Sequence, residues 1–211
     1  LLNISVMNYD NLKIALLLFV LQIASIQAQV KYIDASELKL IGKISDQTET
    51  LYERLPKYIK DVSRTPVWNL GKNTSGLAIR FKSNSSSISV KWEVAINNHM
   101  NHMADTGVKG LDLYALVDNS WRFVNVARPT GKVNEVSIVS SMEPIEREYM
   151  LYLPLYDGVL DLQIGVDSIS SIENTTLNSP ITSAPIIVYG TSITQGGCAT
   201  RPGMSYTNIL S

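Results

Sequence analysis

The feature that most constrains the fold is an alternation of apolar and polar residues between positions 88 and 96. Apolar residues stand at every second position: Ile88, Val90, Trp92, Val94 and Ile96. Successive side chains of a strand point to opposite faces of a sheet, so this pattern predicts a half-buried β-strand. A helix with the same sequence would scatter these residues around its circumference. The chain must therefore bury one face of a sheet.

Shorter stretches of strand-like sequence recur along the chain with polar turns between them. They comprise residues 77–81, 111–117, 121–127, 149–156 and 159–166. Regularly spaced short strands are typical of a β-sandwich. We therefore predict a mainly β fold, a jelly-roll-like β-sandwich domain in residues 29–183. Residues 168–184, rich in Ser, Thr, Asn and Pro, are typical of a linker.

Two of the turns carry hairpin signals, and a third joins two strands. Asp118-Asn119-Ser120 separates the stretches at 111–117 and 121–127. Asp157-Gly158 separates those at 149–156 and 159–166, and Asp-Gly between apolar stretches is the strongest short hairpin signal. Serines and Asn84, within residues 83–86, supply the turn before the strand at residue 88.

The first 28 residues predict a secretory signal peptide. Lys13 precedes the apolar run at residues 14–21, and small residues follow up to Ala28. The run is shorter than the ~20 residues that a membrane-spanning helix needs, which favours a cleavable signal over a membrane anchor. Export of a chain with 1 cysteine favours a bacterial periplasm, cell surface or secreted location. We expect no stable membrane span.

Charge and composition exclude several classes of protein. The chain has 18 Lys+Arg and 19 Asp+Glu, a formal net charge of −1, without a basic run. We therefore expect no nucleic-acid partner, because such binding depends on positive charge that neutralises phosphates. A single cysteine excludes a disulfide framework, and 2 histidines disfavour a zinc site. We expect no metal and no cofactor.

The character of the sequence changes after the linker. Residues 185–189 form a continuous apolar run, as expected of a strand buried on both faces of a parallel sheet. Gly190-Thr191-Ser192 follows, and residues 205–210 are compatible with an amphipathic helix. A buried strand, a turn and a helix predict the start of an α/β domain, in residues 184–211, most of which lies beyond Ser211.

Ser192 admits two interpretations from its residues alone. A nucleophilic serine must be held rigidly at the carboxyl end of a strand, beside backbone donors for an oxyanion, and Gly190 permits the sharp turn that this requires. The elbow Gly-x-Ser-x-Gly of α/β-hydrolases is not matched, because its fifth position is Thr194. Gly, Ser and Thr after a strand are also ordinary loop and helix-cap residues.

A family resemblance bears on this choice. The stretch Gly190-Thr191-Ser192-Ile193-Thr194-Gln195-Gly196 resembles the first sequence block of the SGNH (GDSL-like) hydrolases. Upstream, Gly110-Leu111-Asp112-Leu113-Tyr114 resembles the Gly-x-Asp-Leu-Tyr signature of a β-sandwich domain that precedes such hydrolases in secreted bacterial proteins. The resemblance covers nearly all of the chain after residue 28. It implies a flavodoxin-like α/β hydrolase domain that begins at residue 184.

The resemblance also implies roles for residues. Ser192 would be the nucleophile that attacks an ester carbonyl, and its own amide would be one oxyanion donor. The other donors, and the Asp and His that complete the triad, would lie beyond Ser211, so we expect the 211-residue chain to be inactive. Thr191 stands where the family pattern has Asp, which weakens a specific prediction of lipase activity.

Other candidate residues carry weaker signals. His99 and His102 lie in a polar stretch for which a plain solvated loop is the favoured interpretation. The alternative is a loop that reaches the hydrolase cleft, with His102 as a candidate substrate-binding residue. Neither is the triad base, since the base of the family follows the serine in sequence. We expect Cys198 to be a packing residue. We expect Asp112 to form a structural ion pair or to accept a backbone hydrogen bond, with Arg122 as the candidate partner.

Two functional hypotheses follow from the sequence. The first is an exported serine esterase that removes acyl groups from a small molecule or a carbohydrate. The second is a non-catalytic glycan-binding β-sandwich, for which Trp68, Trp92 and Trp121 are candidates for a sugar-stacking platform. Trp92 shares the apolar face of its predicted strand, which favours a core position for it instead.

Overall fold

The structure is a computed structural model that describes Lys13, residues 29–175 and residues 186–210. Apart from Lys13, the predicted signal peptide at residues 1–28 lies outside the described residues. The same holds for residues 176–185 of the linker region. In the described part of the chain, no helix is long and apolar enough to cross a membrane.

Strands dominate the described chain. They are β1 (Val30–Asp34), β2 (Lys39–Ile41), β3 (Ala78–Ser83), β4 (Ile88–Val94), β5 (Leu111–Val117), β6 (Ser120–Ala127), β7 (Val133–Val139), β8 (Arg147–Tyr152), β9 (Val159–Asp167) and β10 (Ile172–Glu173). The α-helices are short: α1 (Thr65–Gly71), α2 (Asp105–Lys109), α3 (Ser192–Gln195) and α4 (Tyr206–Leu210). A 3-10 turn at Pro202–Met204 precedes α4.

The strands form two antiparallel sheets that share one core. The first has the order β1-β9-β4-β7, and the second has the order β10-β3-β8-β5-β6, with β2 also paired to β3. Apolar residues of both sheets, among them Phe81, Trp92, Leu113, Leu151 and Ile164, are fully buried in a single cluster. The predicted β-sandwich is confirmed. From β3 to β5 and from β6 to β9 the chain crosses between the sheets at each step.

The strand predicted from the alternation is confirmed, although it is shorter than expected. Ile88, Val90, Trp92 and Val94 are buried in the core, on one face of β4. The strand ends at Val94, and the Ile96 side chain is 68% exposed. Beyond Val94 the chain turns away, because the amides of Ile96 and Asn98 bind the Asp157 carboxylate instead of a neighbouring strand.

The hairpin predicted at residue 118 is confirmed. Strands β5 and β6 pair directly, with Val117 opposite Ser120. Asp118 and Asn119 both have positive φ angles, 50° and 56°. Two left-handed residues define the type I′ turn, whose twist matches that of the flanking strands. The loop residues that the sequence supplies here, Asp and Asn, tolerate this backbone region better than most.

The hairpin predicted at Asp157-Gly158 is wrong. Strand β8 pairs with β3 and β5, whereas β9 pairs with β1 and β4, so the chain crosses from one sheet to the other at this point. Asp157 is fully buried and its carboxylate accepts hydrogen bonds from the amides of Ile96, Asn98 and Gly158. It therefore anchors two loops. A local turn signal cannot distinguish this role from a hairpin.

Part of the predicted linker belongs to the sandwich. Ile172 and Glu173 form β10, which pairs with Ser83 and Lys82 of β3. The Ser171 amide donates to the Asn84 side chain at 2.9 Å. Polar composition predicted a loop, but residues 171–173 complete the edge of a sheet, and such pairing depends on partners distant in sequence.

Candidate active site

The serine turn, defined here as residues 190–197, follows an exposed segment. Residues 186–189, predicted from the sequence as a buried strand, are exposed and pair with no strand of the described chain. A strand of a parallel sheet becomes buried only when other strands and helices flank it. Ser192 is the first residue of α3 and is exposed. Its hydroxyl is thus open to a reactant from solvent.

The backbone on both sides of Ser192 is held by hydrogen bonds. The Gln195 amide donates to the Thr191 carbonyl at 3.0 Å. The Ser192 carbonyl accepts from the Gly197 amide at 2.7 Å and from the Tyr156 hydroxyl at 2.9 Å. A serine whose two neighbouring peptide planes are fixed presents its own amide and its Cα–Cβ bond in fixed directions, so that its hydroxyl is confined to the χ1 rotamers about that bond.

Two glycines of the serine turn are required by their surroundings. A Cβ atom at Gly190 would lie 2.1 Å from the Thr194 hydroxyl, which in turn is 3.1 Å from the Tyr206 hydroxyl. Gly196 has a φ of +99°, in the left-handed region, and ends α3. A Cβ atom there would meet Ser205 and Leu155. The glycines thus allow the turn to pack tightly against its neighbours.

The serine turn is attached to the sandwich by side-chain hydrogen bonds. The Ser75 hydroxyl donates to the Gln195 carbonyl at 2.7 Å, and the Gln195 side-chain amide donates to the Leu155 carbonyl at 3.0 Å. Together with Tyr156, these bonds link the turn to the loops before β3 and after β8. No sequence motif marks Ser75 or Tyr156, so sequence reasoning missed both. Only the fold brings residues so distant in sequence to Ser192.

Asp112 forms a second attachment between the sandwich and the C-terminal segment. Its side chain is fully buried in β5 and accepts from the Arg201 guanidinium at 2.7 Å and from the Gly203 amide at 2.9 Å. Arg201 also donates to the Tyr114 hydroxyl and stacks on the Phe123 ring at 3.7 Å. The structural ion pair predicted for Asp112 is confirmed, but its partner is Arg201 and not Arg122.

Burial sets the protonation behaviour of this pair. Desolvation raises the pKa of the Asp112 carboxyl above its ordinary value, while the bonds from Arg201 and Gly203 oppose the rise. The Asp112 Oδ1 atom is buried without a hydrogen-bond partner, which adds to the cost of the charge. Removing Arg201 would therefore leave a costly buried carboxylate.

The histidine loop, residues 96–104, lies beside the same segment. Met100 and Met103 pack in a small cluster with Leu155, Tyr156 and Ala199. His99 Nδ1 lies 2.7 Å from the Asp105 carboxylate, and His102 Nδ1 lies 3.0 Å from the Asn101 side chain. Both histidines are exposed. The loop thus reaches the C-terminal segment, and the substrate-binding role of His102 stays a prediction.

Cys198 does not have the packing role predicted for it. The residue is exposed, and its φ of 65° places it in the left-handed region.

Among the described residues, no group of three or more His, Cys, Asp or Glu side chains is arranged to hold a metal ion.

The three tryptophans do not form a platform. Trp92 is in the core, where its indole nitrogen donates to the Lys109 carbonyl, and Trp68 is buried in α1. Trp121 is half-buried, beneath the Arg80 guanidinium. A sugar-stacking surface built from all three is therefore wrong, because two of the rings are buried.

Two family models match the chain, one over the β-sandwich and one over the segment that carries the serine turn. Residues 30–172 match the family model GxDLY, described as the N-terminus of SGNH-hydrolase-type esterases. Residues 183–211 match the GDSL-like lipase/acylhydrolase family. The chain belongs to the GxDLY family of SGNH-hydrolase-type esterases. No curated protein matches it.

Solved structures resemble the chain to different degrees. A candidate GDSL-like lipase from Bacteroides ovatus has 37% identity and a TM-score of 0.79 over 87% of this chain, which spans 53% of that structure. A salicylyl-acyltransferase from a tetracycline biosynthetic pathway has 14% identity and a TM-score of 0.48, covering 71% of this chain and 42% of its own. An acetyl xylan esterase from Butyrivibrio proteoclasticus has 13% identity and a TM-score of 0.41, and the match covers 71% of this chain and 35% of that structure.

Proposed function

We propose that the complete protein is an exported serine ester hydrolase in which Ser192 is the nucleophile. The observation that carries the proposal is the exposed serine at the start of α3, whose flanking peptide planes are both fixed by hydrogen bonds. It lies in the segment that matches the GDSL-like lipase/acylhydrolase model. No cofactor is needed for this chemistry.

The mechanism follows from what Ser192 presents. A histidine removes the hydroxyl proton as Oγ attacks the ester carbonyl, the Ser192 amide donates to the oxyanion, and the alcohol leaves with the proton. Water then hydrolyses the acyl-enzyme. Both histidines of the chain, His99 and His102, precede Ser192, whereas the base of the SGNH family follows the serine in sequence. We propose that the triad Asp and His, and the remaining oxyanion donors, are supplied by sequence that follows Ser211.

The substrate class in this proposal is a small-molecule or carbohydrate ester. The carbohydrate part rests on the combination of a β-sandwich with this hydrolase family. The histidine loop supports a role in substrate contact, because Met100 and Met103 pack beside the segment that carries Ser192. His102, exposed on that loop, is the candidate contact residue.

The chemical proposal is tested with a small activated ester such as nitrophenyl acetate. The complete protein should hydrolyse it, and Ser192→Ala should lower the rate at least about a thousandfold, because the covalent intermediate is lost. The exposed thiol of Cys198, six residues later, gives the matched control: Cys198→Ala should keep most of the activity. The 211-residue chain should show no turnover.

Two results would overturn this proposal. One is wild-type turnover in Ser192→Ala, and the other is loss of turnover in a folded Cys198→Ala protein. A complete protein that binds acylated glycans but hydrolyses no ester would favour the glycan-binding module instead. A fluorophosphonate probe gives an independent measurement, since its adduct should map to the peptide containing residues 190–197.

The location is proposed on the signal-like sequence before residue 29. Strand β1 begins at Val30, and the match to the family model also begins there, so a cleavage after Ala28 would leave the folded domain intact. N-terminal sequencing of protein exported from a bacterial host should give Gln29 or a residue close to it. Recovery of exported protein that still carries the apolar run at residues 14–21 would contradict this prediction.

A further inference from the structure

Tyr156 is the sandwich side chain that reaches the backbone of Ser192 itself. It lies in the loop between β8 and β9, and its hydroxyl donates to the Ser192 carbonyl at 2.9 Å. Its ring is buried against Met103, Val108 and Leu155. The hydroxyl is therefore held by packing and not only by the bond that it makes.

Two donors converge on the Ser192 carbonyl, the Tyr156 hydroxyl and the Gly197 amide. The Gly197 amide is 2.7 Å from this oxygen. A Cβ atom at Gly197 would lie 2.9 Å from the same oxygen and 3.1 Å from the Tyr156 hydroxyl. The absence of a side chain at position 197 is thus what allows the tyrosine to approach.

The hydroxyl of Tyr156 is a permanent donor at neutral pH. Burial raises its pKa above the ordinary value for tyrosine, and the neighbouring Cys198 adds to that rise, while Arg54 opposes it. The proton therefore stays on the oxygen throughout the pH range in which a histidine base would operate.

We propose that Tyr156 is a positioning residue for the nucleophile. In this proposal the sandwich contributes a side chain that orients the backbone of the active site. The inference rests on the proposed function of Ser192. The Gln195 amide fixes the peptide before Ser192, and Tyr156 with Gly197 fixes the peptide after it. With both planes held, the position of Cβ, which carries Oγ, and the direction of the oxyanion-donating amide are set before substrate arrives. Such pre-organisation lowers the barrier of the chemical step and leaves ground-state binding unchanged.

The test compares two tyrosines in the complete enzyme. Tyr156→Phe keeps the buried ring and removes only the hydroxyl. We expect kcat for a nitrophenyl ester to fall about tenfold with KM unchanged, since a small misplacement of a reacting group is costly in rate. Tyr152→Phe is the matched control. The Tyr152 hydroxyl also donates a hydrogen bond from the sandwich to the C-terminal segment, to the Asn208 carbonyl at 3.3 Å, but it does not bond to Ser192. It should keep wild-type kcat.

A second measurement needs no catalysis and uses the 211-residue chain. In Tyr156→Phe the serine turn loses a hydrogen bond that ties it to the sandwich. The turn should therefore open more often, and the Gly197 amide should exchange with deuterium about tenfold faster than in wild type. Tyr152→Phe should leave that exchange rate unchanged.

The outcomes separate the two proposals. If Ser192→Ala abolishes hydrolysis while Tyr156→Phe keeps wild-type kcat, the positioning role is overturned and the serine mechanism stands. An equal fall of kcat in Tyr156→Phe and Tyr152→Phe would mean that each hydroxyl only helps to attach the C-terminal segment to the sandwich. That result would overturn the specific positioning role of Tyr156. If Ser192→Ala retains activity, the proposed function fails, and the exchange rate of Gly197 still decides whether Tyr156 holds the turn.

Discussion

Asp112 shows how a single residue can join two parts of this chain. Its position in a strand with apolar neighbours indicates burial, and a buried carboxylate requires a cation or backbone donors. Both are present, as Arg201 and the Gly203 amide, 89 and 91 positions away in the sequence. A Cβ atom at Gly203 would lie 2.3 Å from the Tyr114 hydroxyl, so a side chain there would displace the contact. The Asp and the Tyr of the Gly-x-Asp-Leu-Tyr signature therefore both serve this attachment.

Replacing Asp112 tests the attachment. Asp112→Asn should lower the free energy of unfolding of the 211-residue chain by about 2 kcal/mol, because it leaves the part-buried guanidinium of Arg201 without its carboxylate partner. The double variant with Arg201→Gln should be more stable than the sum of the single effects predicts, by at least about 1 kcal/mol. Urea denaturation measures all the variants. Asp118→Asn, exposed on the turn of the same hairpin, is the control and should have no effect.

Additive effects of Asp112→Asn and Arg201→Gln would contradict this interpretation. They would mean that the two side chains contribute independently and that the ion pair does not join the segments in solution.

At the scale of elements, the Asp167 carboxylate holds the segment that connects β3 in one sheet to β4 in the other. Asp167, the last residue of β9, accepts four hydrogen bonds from Ser85, Ser86 and Ser87, at 2.6–2.9 Å. Burial by itself would raise its pKa, but the bonds from these three serines outweigh burial and lower it. The serine-rich stretch is therefore an ordered crossing between the two sheets.

The lowered pKa of Asp167 makes part of the stability depend on pH. A carboxyl whose pKa is lower in the folded state stabilises the fold above its unfolded pKa of about 3.9, and that stabilisation is lost as the pH falls through the folded pKa. Asp167→Asn should therefore lower the free energy of unfolding by about 1–3 kcal/mol at pH 7, and the difference should shrink below about pH 4. Urea denaturation at pH 7 and pH 3 measures both values.

The exposed Asp61→Asn is the control for Asp167→Asn and should give no difference at either pH. A cost of Asp167→Asn that stayed constant between pH 7 and pH 3 would show that the carboxylate charge is not what the serines stabilise.

At the scale of the whole molecule, the sandwich and the C-terminal segment differ in how they are stabilised. The sandwich has a continuous core in which residues of both sheets are fully buried. The segment at residues 186–210 instead exposes Ile186, Ile187, Tyr189, Ile209 and Leu210. It is held to the sandwich by hydrogen bonds, an ion pair and the packing of Ala199. A set of exposed apolar residues of this kind is expected where further structure packs.

Truncation separates the two parts. A chain that ends at residue 183 should keep a single cooperative unfolding transition, because the sandwich core is independent of the segment. In that protein Asp112 has lost Arg201 and Gly203, so Asp112→Asn should be neutral or stabilising, the reverse of its effect in the 211-residue chain. Thermal denaturation followed by circular dichroism tests both statements. Loss of cooperativity on truncation would mean that the segment is part of the core.

The sequence by itself determined the local features of this protein. Period-two alternation placed β4, because burial of one sheet face requires it, and Asp118-Asn119 set a type I′ turn, because these residues tolerate left-handed backbone. The nucleophile role proposed for Ser192 rests on its residues and the family resemblance together, since the neighbours that mark it are adjacent in the chain.

Tertiary structure decided everything that depends on partners distant in sequence. Asp157-Gly158 has the composition of a hairpin turn, yet it joins two sheets, because pairing depends on which strands share the core and not on the turn. Tyr156 and Ser75 carry no local signal, and Asp112 gives no indication of Arg201. Hydrogen bonds and ion pairs form between groups that the fold brings within about 3 Å, and sequence patterns report only on neighbours along the chain.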